Sequence, residues 1–539
     1  MYFELFSISI ILFLPYLFLY TEMHYRFAIP FSRYYKDEPE ILSDIPHRIN
    51  PNKHVPVMIL VKDADKYPID LRDINIEIYQ NSQLISSSIY MINEKINCYW
   101  WHKTLKINTK ETIGHTNFVV YIKYKVYDKI KIITNHNLDT LKPIPFDVYL
   151  SKSELPGNQI AQYGDIHYHS HLTDDMVEFG APLKPTLEAC SVLGLDFICN
   201  TDHSYDLDDK YGTWFENDPE LKKWNDSRKE INHLNQHFKF SPFLIPSEEL
   251  SMHNSNGENI HALILNNSKF LPGQGDSAEK PFDFSCEFNS SNLHSNLEEN
   301  SLCIASHPYC KVSFLERLFF KRGNWKDSDV LEDNMIGLQI LNGEFDYGFY
   351  KGKKKWISYI LNGNKKFIFA GNDAHGNFNK FRQISIPMFK IKESSNQILG
   401  VCKTGVFPKE KNNISSTIKA MKMGNCFITN GPFLNLNFIS KNKTYSLGAS
   451  VEKSKGKLKI TALSNDEFGH INRIKLIKGE IDKKEEEIMH DEIIENEQYE
   501  FYNYYEININ TNCYFRAETE SMNYRGKCIA MTNPIWFTP

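Results

Sequence analysis

Seven short apolar runs follow one another between residues 160 and 400, and this rhythm constrains the fold more than any other feature of the chain. They read YGDIH, LDFICN, FLIPS, IHALIL, CIASH, GLQILN and FIFAGN. Most are continuous in Ile, Leu, Phe and Val rather than alternating, the pattern of strands covered on both faces. Helical patterns lie between several of them: KPTLEACSVLG over 184–194, PELKKWNDSRKEINHLNQHF over 219–238 and KKKWISYILNG over 353–363. Gly194 and Gly363 stand where helix C-terminal stops belong. Alternating strands and helices predict an α/β fold over 160–400, a βα barrel. Residues 267–300, rich in Ser, Asn and Glu, read as a surface insertion between two strands.

The flanks differ. Residues 50–150 break into short β-branched and aromatic runs separated by Asn, Asp, Gly and Pro, the style of a β-sandwich. Residues 430–539 repeat that style after the turn Asn430-Gly431-Pro432, so a second β-sandwich is expected there. The charge-rich stretch 482–497 reads as a solvated loop or hairpin tip. Residues 5–20 are apolar and uncharged within a segment 1–25 that has the length of a signal-peptide core or single anchor. Pro15, Glu4 and the lack of a small-residue cleavage site equally suit an apolar element packed on the domain behind. The chain is therefore secreted or anchored if 5–20 act as signal or anchor, and cytoplasmic otherwise, with membrane contact expected only through that segment.

Apolar residues make up 41% and charged residues 24%, which excludes wholesale disorder and a multi-span membrane protein. The net charge of −6 and the absence of a basic stripe argue against a nucleic-acid binder. Ten Cys are too sparse for a disulfide framework, and no Cys pair is spaced for a thiolate zinc site.

The chemistry sits at the ends of the runs. His167 and His169 end the first, His203 follows the second, and Glu248 and Glu249 follow the third. His261 lies in the fourth, His307 ends the fifth, and Asp373 and His375 follow the seventh. In a βα barrel the C-terminal strand ends open on one face, so these side chains would converge. Two His one residue apart on a strand point the same way, so His167 and His169 can share one ion. Imidazole and carboxylate donors suit zinc, manganese or iron. No Gly-x-Ser-x-Gly elbow or Walker-type loop offers another chemistry. Asp165 and Asp202 stand near ligand His and are candidates to orient imidazoles. Lys380 and Arg382 could hold an anionic substrate, as could Arg317 and Lys321, against the plainer reading of solvated charges.

GDIHYHSHLTDD, FICNTDHS, PSEELS followed by NIHALIL, IASHPY and GNDAH together resemble the ordered motifs of the PHP (polymerase and histidinol phosphatase) superfamily of metallohydrolases. GNCFITNGPFLNLNF and CYFRAETES with KCIAMTNPIWF are similar to the tail of its carbaryl-hydrolase-like (CehA/McbA-like) branch. The resemblance implies a distorted seven-stranded βα barrel with a trinuclear metal site. It implies a first ion on His167, His169, Glu249 and Asp373, with Glu249 bridging to a second on His261 and His307. A third would lie on Asp174, His203 and His375. Two departures bear on this: Ser247 replaces a family Gly before Glu248 and Glu249, and Asp175 replaces a Gly, so Asp175 could stand in for Asp174. The cofactors implied are divalent transition metals, about two or three per chain. Glu249, Asp373 and His375 would be the residues at the reaction centre.

The activity expected is hydrolysis of a phosphoester, carbamate or ester bond of a small molecule by a metal-bound hydroxide. Two alternatives belong to other classes: a PHP-type nuclease or phosphodiesterase, and a non-catalytic surface binding protein that keeps its metals for structure.

Overall fold

The computed structural model describes residues 37–109, 112–138, 141–173, 180–213, 216–239, 241–275, 283–385, 390–452, 455–524 and 526–538. The apolar segment 5–20 and the candidates Asp174 and Asp175 lie outside the described residues. Among those residues, no helix is long and apolar enough to cross a membrane. All ten cysteines are free thiols. The chain divides into two compact units.

The first unit is Met1–Lys152 with Asp174–Leu193 and His375–Ile398. A three-stranded antiparallel sheet runs Glu40–Asp44, Val55–Lys62, Trp100–Ile107. A second sheet runs Arg48–Ile49, Phe146–Leu150, Gly114–Val126, Ile69–Gln80, Gln83–Ile96, with Lys129–Thr134 beside Gly114–Val126. Alternation sets the faces: Ile74, Ile76 and Ile78 point inward, while Asn75 and Glu77 point out. The two sheets share one apolar core, with Ile41, Val57 and Ile59 from one and Ile74, Phe118 and Val120 from the other. The helix Leu183–Leu193 adds Val192 to that core, and the Val192 carbonyl accepts from Asn50 N–H at 2.7 Å.

The second unit is Ser153–Thr173, Gly194–Ala374 and Leu399–Pro539. Its seven sequence-predicted runs do form neighbouring strands. Their hydrogen-bonded order is Gln162–His169, Phe197–Asn200, Phe243–His253, Asn259–Leu265, Leu302–Ala305, Met335–Asn342, Phe367–Gly371. The expectation of a βα barrel nevertheless fails. Among the described residues the chain is mostly β, with 31 strands against seven α-helices. The sheet does not stop at seven strands. It continues from Gln162–His169 through Lys403–Val406 and Cys426–Thr429 into Gly526–Thr532, Cys513–Asn523, Ile471–Glu480 and Glu487–Ile493. Two of the six steps between the seven runs are antiparallel: Phe243–His253 to Asn259–Leu265, and Asn259–Leu265 to Leu302–Ala305. An antiparallel step needs only a turn, and residues 254–258 supply one with Gly257 at φ +71°. No crossover helix is required there, so the βα alternation breaks.

Helices do cover part of the sheet. Lys222–His237 packs on the strand Phe243–His253 and is pinned by buried Asn235. That amide donates to Leu244 C=O at 2.9 Å and accepts from Leu244 N–H at 2.7 Å. Tyr347–Leu361, capped by Asp346 on Phe349 N–H, buries Trp356, whose indole N–H donates to Lys366 C=O at 2.8 Å. Residues 267–300 are not a simple surface insertion, because Leu271, Phe288 and Leu293 are buried in the main core with Met252 and Trp356. The stretch 482–497 contains an edge strand, Glu487–Ile493. Its charges suit an edge, where they discourage pairing with other chains.

A candidate metal centre

The site grows from neighbouring strands and the turns that follow them within the second unit. On Gln162–His169, His167 and His169 project to one side and buried Tyr168 to the other. The two Nε2 atoms lie 3.0 Å apart. Glu249 N–H donates to Asp202 C=O at 3.0 Å, which brings Glu249 beside His203. Its carboxylate then divides its oxygens. Oε2 lies 3.4 Å from His167 Nε2, 3.4 Å from His169 Nε2 and 3.2 Å from His203 Nδ1. Oε1 lies 3.1 Å from His261 Nδ1 and 3.4 Å from His307 Nε2. Asp373 closes the first group, its Oδ1 being 3.2 Å from His167 Nε2 and 3.3 Å from His169 Nε2.

These distances test the site for a metal. A tetrahedral ion with bonds of about 2.0–2.1 Å holds its donors about 3.3 Å apart. His167, His169, Glu249 and Asp373 each offer one donor atom, all within 4.8 Å of one another, and the named separations run from 3.0 to 3.4 Å. His203, Glu249 and His261 form a second such group. The donors are imidazole nitrogen and carboxylate oxygen, the set that zinc, manganese and iron accept. The residues present fit divalent transition ions.

Burial and charge sharpen the picture. Burial works against ionised carboxyls, yet His261 and His167 hold Glu249 well below the usual carboxylate range. Burial likewise opposes the Asp373 anion, and His167 with His169 holds it well below its ordinary value. Burial would lower His167, but Asp373 and Glu249 raise it. His307 is raised well above an ordinary histidine against burial, through hydrogen bonds with Cys310 and Glu249. The cluster is thus a buried anion pair wrapped in imidazoles. Its more accessible side lies at His307 and Asp373, whose side chains are 18% and 16% exposed against 0–1% for His167, His169 and Glu249.

Neighbouring polar groups fix the candidate ligands. Asp165 and Asp202 do not hydrogen-bond imidazoles as expected, because their oxygens are taken up by backbone N–H groups and neutral side chains. Asp165 accepts from the N–H groups of His167, Asn372 and Gly400 and from the Asn372 amide at 2.5 Å, which ties the first strand to the end of the seventh. Asp202 accepts from Ser170 N–H at 2.6 Å and from the Ser170 and Thr173 hydroxyls. The imidazole partners are Gln339, 2.9 Å from His167 Nδ1, and Thr173, 3.3 Å from His169 Nδ1. Ser306 Oγ donates to Glu249 Oε1 at 2.9 Å. Sequence reasoning passed over these three. The usable signal was Gln339, a polar residue in the middle of the otherwise apolar run GLQILN.

Seven of the named candidates therefore meet in this unit: His167, His169, His203, Glu249, His261, His307 and Asp373. Glu248 is fully buried near Ser204. His375, Lys380 and Arg382 belong to the first unit. There Arg382 is buried and ion-paired with Glu393 at 3.2 Å. Arg317 is exposed on the short helix Phe314–Phe319. His253 donates from Nε2 to Phe284 C=O at 2.6 Å.

No family model and no curated protein matches this chain. Among solved structures it is similar to a Bacteroides uniformis β-glucuronidase at 10% identity, over 93% of this chain and 61% of that one, with a TM-score of 0.19. A Parabacteroides merdae β-glucuronidase gives 8% identity, coverage of 93% and 64%, and a TM-score of 0.18. A cycloisomaltooligosaccharide glucanotransferase from Paenibacillus sp. gives 8%, 92% and 71%, and 0.18. The chain spans less than two thirds of the length of the first two. TM-scores this low say nothing of activity, so the site's own side chains decide the chemistry.

Proposed function

We propose that this chain is a metal-dependent hydrolase acting on a phosphoester, carbamate or ester bond of a small molecule. The observation that carries the reading is Glu249, one carboxylate with Oε2 among His167, His169 and His203 and Oε1 between His261 and His307. A carboxylate placed in this way could serve two neighbouring ions, one on each oxygen. Divalent transition ions held there would make water more acidic and draw charge from the oxygen atoms of the bond being broken.

His167, His169, Asp373 and Oε2 of Glu249 would hold one ion, and His261, His307 and Oε1 of Glu249 another. His203 lies beside Oε2 and could join either group. The protein's own contribution is position and dryness. Burial of His167, His169 and Glu249 would keep bulk water from reaching bound ions from behind, and a substrate would enter at the more open His307 and Asp373. The ordered PHP-like motifs support the same reading, and so does the absence of a basic stripe that a polymer such as DNA would need.

The test is elemental analysis of the purified protein with a panel of chromogenic phosphate, phosphodiester, carboxyl-ester and carbamate substrates. About two or three transition ions per chain are expected. Turnover is expected on one substrate class, lost on chelation and restored by metal. Protein that cannot be loaded with metal, or turnover that survives alanine at both His167 and His169, would refute the proposal.

A further inference from the structure

Among the described residues, Met335–Asn342 is the one of the seven neighbouring strands with no metal-binding candidate in it or beside its end. It supplies two amides instead. Gln339 is fully buried in mid-strand, and Asn342 ends the strand. Gln339 Oε1 lies 2.9 Å from His167 Nδ1. Gln339 Nε2 donates to Asn342 Oδ1 at 2.9 Å, and Asn342 Nδ2 donates to Asp373 Oδ2 at 3.4 Å. The four side chains thus form a line that begins and ends on the candidate metal centre.

We infer that Gln339 and Asn342 are positioning residues, an amide relay through which the Asp373 carboxylate sets the tautomer of His167. The inference rests on the metal-site reading above. The direction of the relay follows from donor and acceptor counting. An ionised carboxylate only accepts. Asn342 must therefore turn its NH2 to Asp373, which leaves its oxygen to accept. Gln339 must then turn its NH2 to Asn342, which leaves its own oxygen facing His167. A carbonyl oxygen cannot donate, so His167 Nδ1 carries the hydrogen. A neutral imidazole, the form that binds a metal, carries only one, so Nε2 would be left bare for an ion shared with His169, Glu249 and Asp373. The reversed relay would press the Asn342 oxygen against Asp373, acceptor against acceptor.

Two local features keep the line in place. Ser306 reaches Gln339 Oε1 and His167 Nδ1 only at 3.4 Å, while its closer contact, at 2.9 Å, is with Glu249. Gly371 leaves the space: a Cβ there would stand 2.8 Å from His167 Cβ and 3.0 Å from Gln339 Nε2. The relay couples two ligands of one ion, so a change at either amide should weaken that ion without touching a ligand.

The full chain, stripped with a chelator and titrated with Co²⁺ and Zn²⁺, tests this in the wild type and in Gln339→Leu, Gln339→Glu and Asn342→Leu, the last of which removes both the acceptor for Gln339 and the donor to Asp373. Affinity is read by chelator competition, ligand geometry by the visible bands of the cobalt form, and folding by melting of the metal-free protein. Gln339→Leu and Asn342→Leu should weaken the tightest site about 10- to 100-fold and change the cobalt bands. Gln339→Glu, which keeps an acceptor for Nδ1–H, should bind more tightly than Gln339→Leu. Wild-type affinity and bands in Gln339→Leu and Asn342→Leu would overturn the relay, as would a Gln339→Glu no tighter than Gln339→Leu. If Gln339→Leu does not fold, the half-buried Asn342→Leu decides alone. A wild type that binds neither ion would overturn the metal reading and the relay together, a failure visible before any substitution is compared.

Discussion

Glu249→Gln is the sharpest single perturbation of the centre. The substitution keeps shape and volume but replaces one oxygen by NH2 and removes the charge. In the structure Oε2 faces three imidazole nitrogens at 3.2–3.4 Å and Oε1 faces two at 3.1 and 3.4 Å, so both donor groups lose a member. Four-ligand zinc sites bind with roughly 10–16 kcal/mol, so one ligand is worth about 3 kcal/mol, or roughly 10²-fold in affinity. At a free ion concentration 100 times Kd, an ion stabilises the wild type by about 2.7 kcal/mol. With Kd raised 100-fold at the same concentration, that contribution falls to about 0.4 kcal/mol. The assay is thermal unfolding with and without Zn²⁺ at fixed free ion, joined to elemental analysis. Comparing each protein with its own metal-free form removes any loss of intrinsic stability. A Glu249→Gln protein that keeps the wild-type metal content and the wild-type melting shift would refute the reasoning.

Three further outcomes are expected. Gly371→Ala should destabilise by about 1–3 kcal/mol and lower metal content, because its Cβ would meet His167 Cβ at 2.8 Å and His167 N at 3.0 Å; melting and elemental analysis report the two effects. Asn235→Ala should cost about 1–3 kcal/mol in urea unfolding by stripping its bonds to Leu244, while folded protein keeps its full metal load. Glu518 is 8% exposed and opposed by burial, but Arg516 and Lys353 bring its pKa from 4.5 down to about 2. A folded pKa below the unfolded one gives stability that is present above about pH 4.5 and lost as pH falls towards 2. Glu518→Gln should therefore cost on the order of 3 kcal/mol at pH 7 and little at pH 2, and an equal loss at both pH values would sink the assignment.

The sequence made the clustered His and carboxylate residues legible and the architecture only partly so, for a physical reason. A His or carboxylate at the end of an apolar run is conspicuous, because such residues are seldom buried without a partner. His167, His169, His203, Glu249, His261, His307 and Asp373 were visible on that ground, though they span more than 200 residues. A continuous apolar run states that both faces of a strand are covered, not by what. Helices were inferred as the cover. The helix expected at 184–194 does form, as Leu183–Leu193, but it belongs to the first unit. The turn in HNSNGEN between the third and fourth runs was the missed sign of an antiparallel step. Asp165 and Asp202 misled in a similar way, since sequence proximity to a His does not say whether a carboxylate faces the ring or the backbone.

Convergence of the candidate ligands survives the loss of the barrel because it depends on neighbouring strands, whatever connects them. The first and seventh strands are joined by hydrogen bonds at the site itself: Asp373 N–H donates to His167 C=O at 2.9 Å, and Asp165 accepts from Asn372. Two of the candidate ligands stand in left-handed backbone there, His307 at φ +26° and Asp373 at φ +53°. Each such residue costs on the order of 1–3 kcal/mol, and glycine would relieve it. Glycine would also delete the donor. Strain, buried charge and a polar amide line through a core strand all fall within this one cluster. A fold selected for stability alone would remove each of them, and their coincidence around His167, His307 and Asp373 is the cost that the proposed metal binding would have to offset.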